Sequence, residues 1–268
     1  MRGGCGALAL LSVGVLAWVG PAPAANPNER EVKPQPNVLD RQELNTPDST
    51  IWALDFRFKD PRMITVEVPG RGRKVCWYLW YQVINKTKEA HPFIPDFELV
   101  TLDKNTVHRD QILPKVQEAI RQVEDPTDFL HIKNSVTIAA EPIPPSKPEG
   151  TPRAVTGVAI WDDVDPDATR FSIYVSGLSN GWSVTDPIPP DTKPVVRRKT
   201  LQLNFKRLGD RYYQDSREIQ FVEPAQWVYR GSALKLPALP GLGKEEKGDK
   251  GEKEKGEKDK GEKEEKPR

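Results

Sequence analysis

Between Ile51 and Tyr229, apolar and polar residues alternate with a period of two in one short segment after another. That is the pattern of strands with one face turned inward. Ile64, Val66 and Val68 alternate with Thr65 and Glu67, and Pro69-Gly70-Arg71-Gly72 spells a turn. Val75 to Ile84 is apolar on both parities, with Val75, Trp77, Leu79, Tyr81 and Val83 on one side. Cys76, Tyr78, Trp80, Gln82 and Ile84 fall on the other. Such a strand is covered on both sides, or one of its faces meets a partner. Asn85 to Lys88 turns the chain, and Phe97, Leu99 and Thr101 continue the sheet.

One segment departs from this period. Ile112, Val116, Ala119, Ile120 and Val123 fall at helical spacing, and Asp125-Pro126 ends the run. The spacing predicts an amphipathic helix over Leu113 to Glu124. Strands are then predicted at Val136, Ile138 and Ala140, at Val155 to Trp161, and at Phe171, Ile173 and Val175. Leu201, Leu203 and Phe205 mark another, which Gly209-Asp210 turns back toward Tyr212 and Tyr213. Ile219 and Phe221 mark a late strand. Short strands, proline-rich loops and one inserted helix predict a mainly β fold, an antiparallel sandwich over residues 50–231.

The flanks differ in composition. Arg2 precedes the uncharged run Ala7 to Gly20, and Ala22 and Ala24 form an Ala-x-Ala cleavage pattern. Residues 1–25 therefore read as a secretory signal peptide. The run is shorter than the ~20 residues of a membrane-spanning helix, so no transmembrane anchor is expected after cleavage. Residues 26–49 are polar, with four prolines, and read as a flexible spacer. Residues 232–268 read as a disordered tail. From Lys244 onward it carries nine lysines and one arginine against eight glutamates and two aspartates.

Asn85 closes an aromatic-rich strand, and a polar turn and Phe97-Glu98-Leu99 follow it. This run resembles a strand pair of bacterial envelope immunoglobulin-like domains. The whole chain also resembles uncharacterised secreted proteins of bacteria with elaborate envelopes. The resemblance implies an immunoglobulin-like sandwich and an exported, secreted or periplasmic location. It carries over no catalytic residue.

Charge and cysteine usage narrow the function. Forty basic residues stand against 39 acidic ones, so the chain as a whole has no field to draw in nucleic acid. Behind the leader only Cys76 remains, on an apolar strand, so the mature chain forms no internal disulfide. The core alone has to hold it together.

Candidate chemistry is sparse. Asp162, Asp163, Asp165 and Asp167 on one loop offer oxygen ligands to calcium. Asp163, Asp165 and Asp167 match the first EF-hand positions, but Ala168 and Tyr174 replace the glycine and glutamate of that motif. A looser calcium loop and a plain hairpin loop both fit. Tyr78 and Trp80 are candidate sugar-stacking aromatics, with core packing as the alternative. Gly177-Leu178-Ser179-Asn180-Gly181 spells a nucleophile elbow. Yet no helix signal follows, and the last histidine, His131, precedes the serine. Asn180-Gly181 also spells a hairpin turn. Ser232-Ala233-Leu234-Lys235 spells S-x-x-K without the domain such a pair needs. His91, His108 and His131 lack metal-ligand spacing.

The expectation is a non-enzymatic structural or interaction module of the envelope or exterior, with an envelope protein or polysaccharide as partner and no cofactor. A carbohydrate- or calcium-binding accessory module is the alternative. A hydrolase with an unrecognised site is the third reading.

Overall fold

The computed structural model describes residues 29–35, 51–147, 149–185, 195–208 and 218–231. The expected signal peptide and tail, and the expected turn at Gly209-Asp210, lie outside them. Among the described residues, thirteen elements follow one another. They are β1 (Glu29–Val32), β2 (Asp55–Lys59), β3 (Arg62–Val68), β4 (Gly72–Ile84), β5 (Asp96–Thr101), β6 (Val107–Arg109), α1 (Pro114–Glu124) and α2 (Ser135–Ala139). Then come β7 (Ala154–Trp161), β8 (Arg170–Ser176), β9 (Trp182–Thr185), β10 (Val195–Arg207) and β11 (Ile219–Arg230).

The fold is mainly β, in two antiparallel sheets, each organised on one 13-residue strand. In sheet 1 that strand is β4. β2 and β3 lie end to end along one of its edges, β7 takes the other, and β1 pairs outside β2. In sheet 2 it is β10. β8 and β9 share one edge, β11 takes the other, and β5 and β6 extend the sheet beyond β8. The β3–β4 turn needs Gly70 and Gly72, whose φ of 73° and 70° a side chain would strain.

Alternation along the strands decides which side chains meet. Trp77, Leu79, Tyr81 and Val83 of β4 face Phe97, Leu99, Phe171, Ile173, Leu201, Leu203 and Phe205 of sheet 2 in one buried cluster. The rings pack edge-on and offset: Trp77 meets Phe171 at 5.2 Å and 86°, and Phe171 stacks on Phe205 at 5.3 Å and 18°. The other parity of β4 forms a second cluster. Cys76, Tyr78 and Trp80 lie with Val158 and Ile160 of β7 under Val116 and Ile120 of α1. The doubly apolar strand is thus covered on both sides, by the second sheet and by the helix.

An ionic lock fixes α1 there. Glu124, at the end of the helix, has a side chain only 3% exposed. It accepts from Lys59 Nζ at 2.9 Å, Arg62 Nη1 at 2.8 Å and the Tyr78 hydroxyl at 2.9 Å. An acid at a helix C-terminus faces the wrong end of the dipole, and the two cations offset this. Asp125 then ends the helix, its carboxylate accepting from the amides of Phe129 and Leu130 at 2.9 and 2.7 Å.

Two expectations are corrected. Val136, Ile138 and Ala140 do not form a strand, so the fold has a second short helix. Asn134 caps it, accepting from the amides of Val136 and Thr137, with Thr137 returning the bond in a capping box. Only Ile138 is buried, while Val136 is 66% exposed, so the apparent alternation never shared a face. The spacer is also not unstructured throughout. Glu29–Val32 forms β1, where Arg30 reaches Asp60 at 3.1 Å and Arg57 reaches Glu31 at 3.0 Å. The carbonyls of Lys33 and Gln35 go on to accept from Trp227 Nε1 and Lys199 Nζ, so this segment bridges the two sheets.

The helix roof yields a test. Ile120→Ala leaves a cavity above β4 and should lower stability in urea by about 2–5 kcal/mol. Val123→Ala, at a position 60% exposed, should stay within about 0.5 kcal/mol of the parent.

Candidate functional site

The aspartate loop follows β7 directly, and the structure separates its four carboxylates. Asp162, 2% exposed at its side chain, takes Arg71, with Lys74 Nζ at 3.7 Å. Burial pushes its carboxyl up, and the bonds from Arg71 and Gln111 with the Lys74 charge outweigh that, holding it below the ordinary carboxylate range. Asp163 Oδ2 lies 3.1 Å from His108 Nδ1. Asp165 pairs with Lys104 and accepts the amide of Asp167, which stands exposed. Among the described residues no three acidic, histidine or cysteine side chains converge to hold a metal. The four expected calcium ligands thus lie on one turn, with Asp162, Asp163 and Asp165 each facing a different protein partner.

Tyr78 and Trp80 are also not where a sugar platform requires them. They are 3% and 2% exposed beneath α1. Lys59 Nζ sits 4.2 Å from the Trp80 ring centre, and the Tyr78 hydroxyl is spent on Glu124. Cys76 beside them is fully buried, and burial lifts its thiol to about 11, far from a reactive thiolate.

The nucleophile-elbow spelling is a structural clamp. Gly177 has φ of 92°, and a Cβ there would meet the Ile94 carbonyl oxygen at 2.2 Å. Ser179 Oγ donates to the Trp52 carbonyl at 2.7 Å and accepts the Gly181 amide at 3.1 Å. Asn180 Oδ1 accepts the Trp52 amide at 2.8 Å. The turn ties the chain ahead of β2 to the sandwich, and no histidine bonds the serine. His91 instead stacks on Trp52, 4.4 Å between ring centres. Ser232 and Lys235 lie outside the described residues.

The outer face of sheet 2 carries what the motifs do not. Both helices make their main contacts with β3 and β7, so no described helix covers this side. Cross-strand pairing arranges its side chains in rows. Trp182, Arg198 and Arg230 form one row. Arg109, Glu98, Tyr174 and Gln202 form another. Glu98 holds Arg230 and accepts from Arg109 Nη2 at 3.1 Å, while the Arg230 guanidinium lies 3.9 Å above the Tyr174 ring. Ser172 Oγ and Gln202 Nε2 both donate to Asn204 Oδ1, at 2.8 and 2.9 Å. Arg109, Arg170, Arg198, Lys206 and Arg230 outnumber Asp96 and Glu98 here, although the whole chain is balanced. The polar parity of β10, at Arg198, Thr200, Gln202 and Asn204, is one sequence signal for this face.

A half-buried carboxylate lies elsewhere. Asp110, between β6 and α1, accepts from the Ser135 hydroxyl of α2. Burial lifts its carboxyl to about 6, against the lowering by Ser135 and the Ile160 amide. The nearby Tyr81 hydroxyl is fully buried and has no protein hydrogen-bond partner.

Neither a protein family model, nor a curated protein, nor a solved structure matches this chain.

Two measurements follow. Because the four aspartates do not converge, millimolar calcium should leave the melting temperature unchanged; a rise would restore the calcium reading. Asp110 binds its proton more tightly folded than unfolded, where its pKa is about 4. Its contribution is therefore complete below about pH 4 and is lost as pH rises through about 6. Asp110→Asn should be more stable than the parent by roughly 2–3 kcal/mol at about pH 8, and equal to it at about pH 4.

Proposed function

We propose that this chain is an exported, non-enzymatic interaction module of the cell envelope or exterior, and that it engages its partner through the outer face of sheet 2. The observation that carries this reading is the asymmetry of the two outer faces. The apolar outer face of β3, β4 and β7 in sheet 1 is roofed by α1 and pinned by the Glu124 lock, whereas the rows of sheet 2 end in side chains under no described helix.

Three further points support it. The leader pattern of residues 1–25 directs export. The buried ionisable groups are occupied with holding the fold: Glu124 with α1, Asp162 with the β3–β4 turn, Asp55 with Lys86. The chain passes from sheet 1 to sheet 2 between β4 and β5 and again between β7 and β8, and β4 pairs β7 while β5 pairs β8. That crossing supports the immunoglobulin-like reading, with β4 and β7 in one sheet opposite β5, β8 and β10. In such sandwiches, sheet faces and end loops serve as binding surfaces on a rigid frame.

The test is co-sedimentation of the purified chain with an envelope fraction of the source cells. Gln202→Glu with Gln226→Glu reverses the charge at the centre of the face and should abolish co-sedimentation. Lys115→Glu, on the exposed side of α1, should leave it intact. Loss with the helix variant and retention with the face variant would sink the proposal.

A further inference from the structure

Within the proposed binding face, Arg170 and Lys206 are exposed to water, whereas Arg198 is drawn partly out of it. Arg109 and Arg230 are held by Glu98, and Arg230 is also stacked on Tyr174. Arg198 is half-buried in mid-sheet between Trp182 on β9 and Arg230 on β11, and among the described residues it has neither an ion pair nor a side-chain hydrogen bond. A guanidinium withdrawn from water without an acceptor costs free energy that an arriving carboxylate recovers through two parallel hydrogen bonds. The neighbouring Arg230 adds positive charge and no competing acid, because its own acid, Glu98, is already shared with Arg109.

Trp182 supplies the second half of a site. It belongs to neither apolar cluster, and it is only half-buried. By its pairing with Arg198 it stands on the outer side of the sheet. An indole beside a guanidinium offers a stacking surface for a sugar ring whose carboxylate meets the arginine. Polar groups continue along β10. Thr200 shares a hydroxyl contact of 3.0 Å with Ser176. Asn204 has its oxygen occupied by two donors, which leaves its amide N–H groups for a ligand hydroxyl. The surface is a sheet face rather than a closed cavity, which suits a polymer lying along it.

The geometry points to a binding site for a carboxylated polysaccharide on the outer face of sheet 2, with Arg198 taking the carboxylate and Trp182 the sugar ring. This rests on the reading of that face as the interaction surface and names its ligand class.

The test is biolayer interferometry of the purified chain on immobilised polygalacturonate, with neutral dextran as the control surface. The parent should bind polygalacturonate, more weakly as salt rises, and not bind dextran. Arg198→Gln should weaken binding at least tenfold with an unchanged melting temperature. Arg198→Lys, which keeps the charge and loses the fork, should fall between. Trp182→Ala should weaken binding at every salt concentration, as a stacking contact does. No binding to polygalacturonate, or parent-like binding by both Arg198 variants, overturns the inference. So does Arg198-dependent binding to vesicles of phosphatidylcholine and phosphatidylglycerol without binding to polygalacturonate. If Gln202→Glu with Gln226→Glu abolishes envelope co-sedimentation while Arg198→Gln does not, the face stands and the polysaccharide falls. If neither set of variants matters, both fall.

Discussion

A strand with two apolar faces cannot leave either one in water, and β4 is such a strand. Its odd-numbered side chains require a second sheet and its even-numbered ones require a roof. Each large side chain of this kind is worth ~1.5–3 kcal/mol when fully buried, so the two faces together outweigh any single polar contact in the molecule. The second sheet and α1 are the two answers to that demand. Once α1 is committed to Cys76, Tyr78 and Trp80, the apolar part of sheet 1's outer face is covered. What the molecule can offer a partner is therefore set by how its most apolar strand is covered.

The charges follow from the same arrangement. Overall the chain is neutral to within one charge, yet its acids and bases are not used alike. Glu124, Asp162 and Asp55 are drawn inward to hold cations that pin the helix, the β3–β4 turn and the start of β2. A paired carboxylate in a half-dry site contributes rigidity more than net stability, because desolvation offsets much of the attraction. With many acids working inside, bases predominate on the outer face of sheet 2. The field there is a local property invisible to net charge.

Three features that spell chemistry turn out to serve the architecture. The Gly177–Gly181 spelling works as a clamp because Ser179 and Asn180 are used by the main chain of Trp52. The aspartate loop is a turn because three of its acids found partners from different segments: Arg71 from the β3–β4 turn, Lys104 from the loop after β5, and His108 from β6. Tyr78 and Trp80 are roofed because a helix some 35 residues later in the chain lands on them. In each case the deciding partner is remote in sequence.

Local pattern determined much of this protein. The two-residue period at Ile64–Val68, Val155–Trp161, Phe171–Val175 and Leu201–Phe205 gave the strands, and the double apolarity of Val75–Ile84 required cover on both sides. The spacing of Val116 and Ile120 gave α1. These are statements about neighbours within a turn or a pleat, and such neighbours are written in order along the chain. The pattern failed at Val136–Ala140, where Asn134 supplied a cap stronger than a short alternation, and at Glu29–Val32, where polar residues paired by charge rather than by hydrophobicity. The tertiary structure alone decided which face of β4 the helix takes, how Glu98 is shared between two arginines, and that Arg198 is left without an acid among the described residues. Those outcomes depend on contacts spanning up to 132 residues, and spatial proximity across such a distance has no imprint in the order of residues.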